Sequence, residues 1–325
     1  MEHSISGIHH VTAISSDAQR TLDFYTGLLG LRLVKKTVNF DDPGTYHLYF
    51  GDELGRPGTI LTFFPWEFAG RGSPGAGAVN VTSFSVHEES LGYWEERLLE
   101  SGVPVEREGS RFEEEVLTFV DPDGLKLEIV AHATVRKPHP WTDATVPAEH
   151  SIRGFYSVTL SERGFEKTAQ LLSSMGFRKV AESGNRFRFD VGEGGGGSRV
   201  DVLCLSEGRH AQMGAGSVHH VAFRVRNDDA QLAWQKRLVD ADLDVTPVRD
   251  RVYFRSIYFF EPGGILFELA TDPPGFAIDE PEDSLGEALM LPPWLESKRK
   301  QIEKILPIIE IHRPARGLKP AGGLR

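Results

Sequence analysis

The sequence predicts an α+β fold assembled from four βαβββ units. Three observations carry that prediction. A weak internal repeat of about 55 residues recurs along the chain. Each copy opens on an apolar-alternating, strand-like segment. Two copies share a Pro/Gly turn at the same offset, each leading into a short strand that ends on glutamate.

The opening strands read Ile8–Ile14, Val79–Val86, Phe155–Leu160 and Val218–Val225. A helical stripe follows each. In the first unit Ser16 and Asp17 offer N-caps, Leu22, Tyr25 and Leu29 form the apolar face, and Gly30 is the stop. Trp94, Leu98 and Leu99 with Gly102 repeat the pattern, as do Phe165, Ala169 and Leu172 with Gly176. Ala230, Trp234 and Leu238 carry the fourth helix, which lacks a glycine stop. Three strands then complete each unit. Asp121-Pro122-Asp123-Gly124 precedes Leu125–Glu128, and Glu261-Pro262-Gly263-Gly264 precedes Ile265–Glu268. Pro and Gly set these turns, and the flanking runs read as strands.

Pro- and Gly-rich stretches separate the units. Arg136–Glu149, with Pro138, Pro140 and Pro147, divides the chain near its middle. We therefore expect an N-terminal domain over 1–137, a C-terminal domain over 150–275, each holding two units, and a tail over 276–325. From about Trp294 that tail reads as a short charged helix and then a loose surface end. Gly192–Gly197 lacks the GKS/T ending of a phosphate loop and reads as a flexible hairpin tip.

Composition narrows the function. The chain has 325 residues and a formal charge of −11, which argues against nucleic acid, whose phosphates select basic surfaces. No apolar run approaches the roughly 20 residues of a membrane helix, and MEHSISGIHH shows no secretory pattern. The single cysteine, Cys204, lies in an apolar run, reads as a small core residue and allows no intrachain disulfide. These features suggest a cytoplasmic setting. A homo-oligomer is compatible with them.

Two His-His pairs stand at matching places, His9-His10 in unit one and His219-His220 in unit four. Units two and three carry Asn80-Val81 and Tyr156-Ser157 there. Neighbours on a strand point to opposite faces, so one member of each pair faces the sheet's inner side.

The fourfold unit resembles the vicinal oxygen chelate superfamily, which includes glyoxalases, extradiol dioxygenases and antibiotic-sequestering proteins. The resemblance spans roughly residues 6–272. It implies two cupped mixed β-sheet barrels flanked by helices, with a metal inside a cup. It also makes the second histidine of each pair the ligand, giving His10 and His220, and places the carboxylate ligand at Glu268. Two imidazoles and one carboxylate leave up to three open positions, the arrangement used by non-heme Fe(II). Glu128 has the offset of Glu268 but no histidine beside it, and reads as a vestige of duplication or a solvated strand end. Units one and four are then expected to pair, and units two and three likewise.

A narrower resemblance points to the hydroquinone ring-cleaving branch. It is carried by Ile8–Thr12, Tyr46–Gly55, Pro57–Thr59, Glu149-His150, Arg153–Phe155, Gly184–Arg186 and Ser284–Gly286. It implies Fe(II), a small aromatic substrate and O2, with Mn(II) or Zn(II) as other occupants of the site. By position, Tyr258 and Arg251 precede Glu268 on the adjoining strand, with Tyr258 opposite Glu268 or one residue off. They are expected to move a proton and hold an anionic oxygen. Thr12 shares His10's face. His9 and His219 face away if the strands are regular; the family treats both positions as supports of neighbouring groups, and packing between sheets is the alternative. Phe63, Phe64 and Trp66 wall an aromatic pocket or belong to the core. Two rival functions remain at this level. A glyoxalase-like lyase or isomerase usually carries a second glutamate on the partner strand, which here reads Thr59–Phe64 without a carboxylate. A quinone- or drug-binding protein often lacks the ligand triad, which this chain keeps.

Overall fold

The computed structural model describes residues 4–133 and 139–311. All four units are present. The first comprises β1 (Ile8–Ser15), α1 (Ala18–Leu22), β2 (Arg32–Asn39), β3 (Asp42–Gly51) and β4 (Ile60–Pro65). The second comprises β5 (Ala78–His87), α2 (Leu91–Glu100), β6 (Glu106–Arg111), β7 (Glu114–Val120) and β8 (Lys126–His132). The third comprises β9 (Phe155–Glu162), α3 (Glu166–Ser174), β10 (Arg178–Ser183), β11 (Arg186–Asp190) and β12 (Arg199–Cys204). The fourth comprises β13 (Ser217–Val225), α4 (Asp228–Asp240), β14 (Arg249–Asp250), β15 (Arg255–Phe260) and β16 (Leu266–Thr271).

Local chemistry explains the helix ends. The Asp17 carboxylate accepts from the Arg20 amide and starts α1. The helical stripe then widens into a π turn over Asp23–Leu28, which buries both Phe24 and Tyr25. That turn lets the Tyr25 hydroxyl donate to Asp121 of unit two at 3.0 Å. After α4, where no glycine is available, Asp242 takes the left-handed conformation at φ 60°, one of the few side chains that tolerate it.

Two eight-stranded sheets result, ordered β14-β15-β16-β13-β1-β4-β3-β2 and β10-β11-β12-β9-β5-β8-β7-β6. Units one and four thus share one sheet and units two and three the other, as expected. Each sheet draws on both halves of the chain, through the antiparallel pairs β1–β13 and β5–β9. One continuous apolar core covers the helix-bearing faces, with Trp94 and Phe223 fully buried in it.

The inner faces differ. Sheet one has a small apolar cluster around Tyr49, Ile60, Tyr253 and Phe254. Sheet two is filled by ion pairs. Arg188 bridges Asp201 and Glu114, and Arg186 also binds Asp201. Glu128 is not a solvated strand end. It is buried, receives Arg111 Nη2 at 2.6 Å and the Ser83 hydroxyl at 2.6 Å. Burial alone would raise its pKa, but Arg111 holds it below the usual carboxylate range.

Three further expectations change. The tail contains the expected short helix, α5 (Arg299–Ile305), but up to residue 311 it packs along the edge of sheet one. The Met290 amide donates to Lys36 of β2, and the buried Lys35 ammonium binds Asp279 at 2.6 Å and Glu280. Covering an edge strand blocks edge-to-edge association. Residues 312–325, and with them the loose end, lie outside the described residues, as do 134–138 at the start of the Pro-rich linker. The Gly192–Gly197 segment is sewn to the start of β1: Gly197 O accepts from Ile8 N at 2.8 Å. A Cβ on Gly7, at φ 115°, would lie 2.5 Å from that oxygen. Cys204 is half-buried at the end of β12, its thiol donating to the Arg163 carbonyl at 3.4 Å.

Two outcomes follow from these buried charges. Arg111→Met should strand the Glu128 carboxylate and cost about 3–5 kcal/mol in urea unfolding, and adding Glu128→Gln should restore most of it. At the seam, Glu162 ends β9 and meets Glu261 of the β15–β16 turn, both buried. Burial and then the Glu261 charge push the Glu162 carboxyl up from 4.5 to about 8. Its folded pKa exceeds its unfolded one, so its contribution is complete below about pH 4.5 and is lost as pH rises through about 8. Between about pH 4.5 and about pH 8, melting temperatures should therefore fall less steeply with pH in Glu162→Gln than in the parent.

Candidate metal centre

The centre is built on β1 and β13, and neither is regular. Their pairing steps from Ile8↔Phe223 to His10↔Ala222, and from Thr12↔His220 to Ala13↔Val218. His9 and His219 are each the extra residue of a β-bulge, which re-aims the side chain. The condition under which both would face away, regular strands, is therefore not met. Their rings contact the ligand histidines instead, with Nδ1···Nδ1 separations of 2.9 Å for His9–His10 and 2.8 Å for His219–His220. Sheet two repeats both bulges, at Asn80 and Tyr156, without the histidines.

His10, His220 and Glu268 converge, with one donor atom from each lying within 4.8 Å of the others. His10 Nε2 is 3.2 Å from His220 Nε2 and 3.3 Å from Glu268 Oε2, and His220 Nε2 is 2.9 Å from the same oxygen. All three residues are buried.

The hydrogen-bond network assigns the proton positions. His9 Nε2 lies 3.2 Å from the Thr271 carbonyl, so that nitrogen must donate. Burial, reinforced by His10, keeps His9 neutral, which leaves its Nδ1 an acceptor. His10 Nδ1 must then donate to it, and His10 Nε2 presents a lone pair toward Glu268 and His220. Burial and then His220 lower the His219 pKa to about 3, so it too is neutral. Glu268 Oε1 accepts from the Ser256 hydroxyl at 2.5 Å, whereas buried Oε2 has no well-formed hydrogen bond. A buried carboxylate oxygen and an imidazole lone pair facing one another are costly unless a cation lies between them. The donor set therefore fits a divalent ion of borderline softness.

The surroundings form a cavity of about 310 Å³. Phe64, Trp66 and Phe254 supply flat walls, and Phe63 points the other way, into the core against Tyr25. Tyr258 is directly opposite Glu268 in the β15–β16 pair. Burial and then Glu268 push its pKa up, so the phenol keeps its proton. Arg251 is not on the adjoining strand. It sits in the turn between β14 and β15, beside Val252 at a strained φ of 67°. Its Nε donates to Tyr258 Oη at 3.2 Å and its Nη1 to Asp41 at 3.0 Å. Thr12 is fully buried and accepts from the Thr62 hydroxyl at 3.0 Å, outside the cavity lining. His47, Tyr49, Phe254 and Ser256 belong to this site and were not singled out from sequence. For His47 and Tyr49 the available signals were their alternation on one face of β3 and their place in the Tyr46–Gly55 segment that carries the narrower resemblance.

The family profile of the glyoxalase/bleomycin resistance protein/dioxygenase superfamily matches residues 7–129 and 132–269. A Bacillus subtilis protein with the provisional name ring-cleaving dioxygenase MhqO is 49% identical over 96% of this chain and 99% of its own. The chlorohydroquinone/hydroquinone 1,2-dioxygenase of Sphingobium indicum is 36% identical over 92% of this chain and 95% of its own. A Bacillus subtilis crystal structure, provisionally described as a dioxygenase, superposes with a TM-score of 0.92 at 48% identity, covering 96% of this chain and 99% of that one. Maize glyoxalase I shares the fold alone, with a TM-score of 0.60 at 13% identity over 82% of this chain and 92% of its own. The chain belongs to the glyoxalase/bleomycin resistance protein/dioxygenase superfamily.

Proposed function

We propose that the protein is an Fe(II)-dependent dioxygenase that opens the ring of hydroquinone-type substrates with O2. The observation that carries this reading is the open His10–His220–Glu268 triad at the floor of an aromatic-walled cavity. The names of the relatives agree with it. Iron held by the triad would supply a meeting point for a phenolic oxygen and dioxygen and a path for electrons between them. Mn(II) or Zn(II) would fit the same donors, and metal supply decides among them.

The chain's own residues do the rest. Phe64, Trp66 and Phe254 hold an aromatic ring and exclude water. Tyr258 keeps its proton at neutral pH and stands beside His220, with ring centroids 5.7 Å apart, where it can give that proton to a reacting oxygen. Arg251 fixes the Tyr258 hydroxyl and offers a cation to an oxygen that becomes anionic. His9 and His219 hold the ring orientation and proton placement of the two ligands. A glyoxalase-like lyase finds less support, because among the described residues no second carboxylate joins the triad. The single cysteine and an Fe(II) requirement suit a reducing cytoplasm.

Protein reconstituted with Fe(II) without air, then given hydroquinone and O2, should consume O2 and release a ring-opened acid. No uptake across unsubstituted, methyl- and chlorohydroquinones would overturn the reading. His220→Ala should lose stoichiometric metal by elemental analysis, and retained metal would refute the ligand set. Tyr258→Phe should keep the metal and lower kcat about 10²–10⁴-fold, the range for loss of a positioned proton donor.

A further inference from the structure

A second polar cluster faces the cavity and takes no part in the steps above. It lies on β3 and β4, across β1 from the strands that carry His220 and Glu268. His47 is half-buried with its ring between Tyr49, at 4.0 Å, and Phe64, at 4.4 Å. The Tyr49 hydroxyl is 2.9 Å from His47 Nδ1, and His47 Nε2 is 2.7 Å from Thr62 Oγ1. Tyr49 and His47 both line the metal cavity.

The direction of this chain follows from its end. Thr62 has one hydroxyl proton and gives it to Thr12, at 3.0 Å. Its oxygen must then accept from His47 Nε2–H. Burial, reinforced by His10 and His220, keeps His47 neutral, so its Nδ1 carries no proton and accepts from Tyr49. Tyr49 has thereby used its only proton. Its phenol oxygen is left with lone pairs alone and can only accept. Burial also holds its pKa well above the usual phenol value, so this acceptor is uncharged.

We infer that Tyr49, oriented by His47, is the subsite for the second hydroxyl of a para-diol whose first hydroxyl sits at the metal. This rests on the ring-cleaving reading above. A para substituent points straight across the ring, away from the metal, and Tyr49 lines the cavity on β3, two strands from the β1 that carries His10. An acceptor-only oxygen there selects a neutral hydrogen-bond donor. An ether presents lone pairs to lone pairs, and a carboxylate adds a charge that no partner in the Tyr49–His47–Thr62 chain offsets. Tyr49 is then a substrate-contacting residue and His47 a positioning residue that acts through it.

The test is calorimetric binding, without air, to the Fe(II)-loaded protein. Hydroquinone and 4-methoxyphenol are compared in the parent and in Tyr49→Phe and His47→Gln. The parent should prefer hydroquinone, and Tyr49→Phe should shrink that preference about tenfold, the worth of one neutral hydrogen bond, with metal content unchanged. His47→Gln should shrink it as well, which a merely structural histidine would not do, and it decides the matter should Tyr49→Phe fail to fold. No preference in the parent, or an undiminished preference in the folded variants, would overturn the subsite. O2 uptake by the parent with hydroquinone is measured separately. Uptake with an undiminished preference sinks the subsite alone, whereas a Tyr49-dependent preference without uptake sinks the dioxygenase reading and leaves the subsite standing.

Discussion

The two bulges of the β1–β13 pair set the geometry of everything else in this molecule. An antiparallel pair in perfect register would send alternate residues to opposite faces and bring two histidines, one from each strand, to the inner side. The extra residues His9 and His219 break that alternation symmetrically. Four imidazoles then gather at the site, His10 pointing a lone pair at Glu268 while His9 and His219 meet the rings of His10 and His220 at their Nδ1 atoms. The Thr271 carbonyl sits at one end of this arrangement, and its demand for a donor propagates through His9 to fix the proton on His10. A backbone irregularity thus becomes a statement about which nitrogen can bind a cation.

The second sheet is an internal control on that argument. It has the same strand order, the same bulges and a glutamate in the same register, with Ser83 across from Glu128 as Ala222 is across from Glu268. What it lacks is imidazole. Its buried carboxylate still needs a positive partner, and Arg111 supplies one as a tethered guanidinium. The two cups therefore solve one electrostatic problem in two ways. A covalently attached cation fills its cup with side chain, whereas the His10, His220 and Glu268 donors, a set suited to a metal, have an open cavity beside them. Duplication supplied the scaffold, and the choice of counter-charge separates a binding cavity from a filled one.

Much of this was legible in the chain because repeats and strand periodicity are local signals. The four opening strands and the matched places of the two His-His pairs follow from offsets between copies, whereas the choice of His10, His220 and Glu268 as ligands, and with it the pairing of unit one with unit four, followed from the family resemblance. The bulges were not legible, because an extra residue leaves the apolar pattern of a short strand nearly unchanged; regular alternation would have sent His9 and His219 the other way. Arg251 was assigned to a strand because it precedes one, yet the turn at Val252 lifts it off the ladder. Glu128 resembled a surface residue because its partner, Arg111, comes from a different strand. His47 and Tyr49 lie in the Tyr46–Gly55 segment that carries the narrower resemblance, but their role depends on hydrogen bonds that reach β4 and β1. Contacts between distant segments are the common element for Glu128, His47 and Tyr49, whereas the bulges and Arg251 turn on local backbone irregularities.

The tail illustrates how a segment that carries no reactive group can still shape the site. Lys35 is fully buried, and its ammonium is held by Asp279 and Glu280 of the tail while lying 4.9 Å from the centre of the Tyr253 ring. The Tyr253 hydroxyl donates to the same Asp279 at 3.0 Å. Tyr253 and Phe254 are consecutive, and Phe254 packs 5.0 Å from both His9 and His10. On the outer side Trp294 of the tail meets Phe40 edge to face, and Phe40 adjoins Asp41, the partner of Arg251. The tail thus grips both ends of the strained turn that presents Arg251, one through a buried lysine knot and one through the cavity's rim. A left-handed valine is tolerable only where its surroundings over-determine the backbone; here the Val252 amide donates to Asp250 Oδ1 at 2.7 Å, the Arg251 amide donates to the Phe254 carbonyl, and the two tail contacts brace the residues on either side.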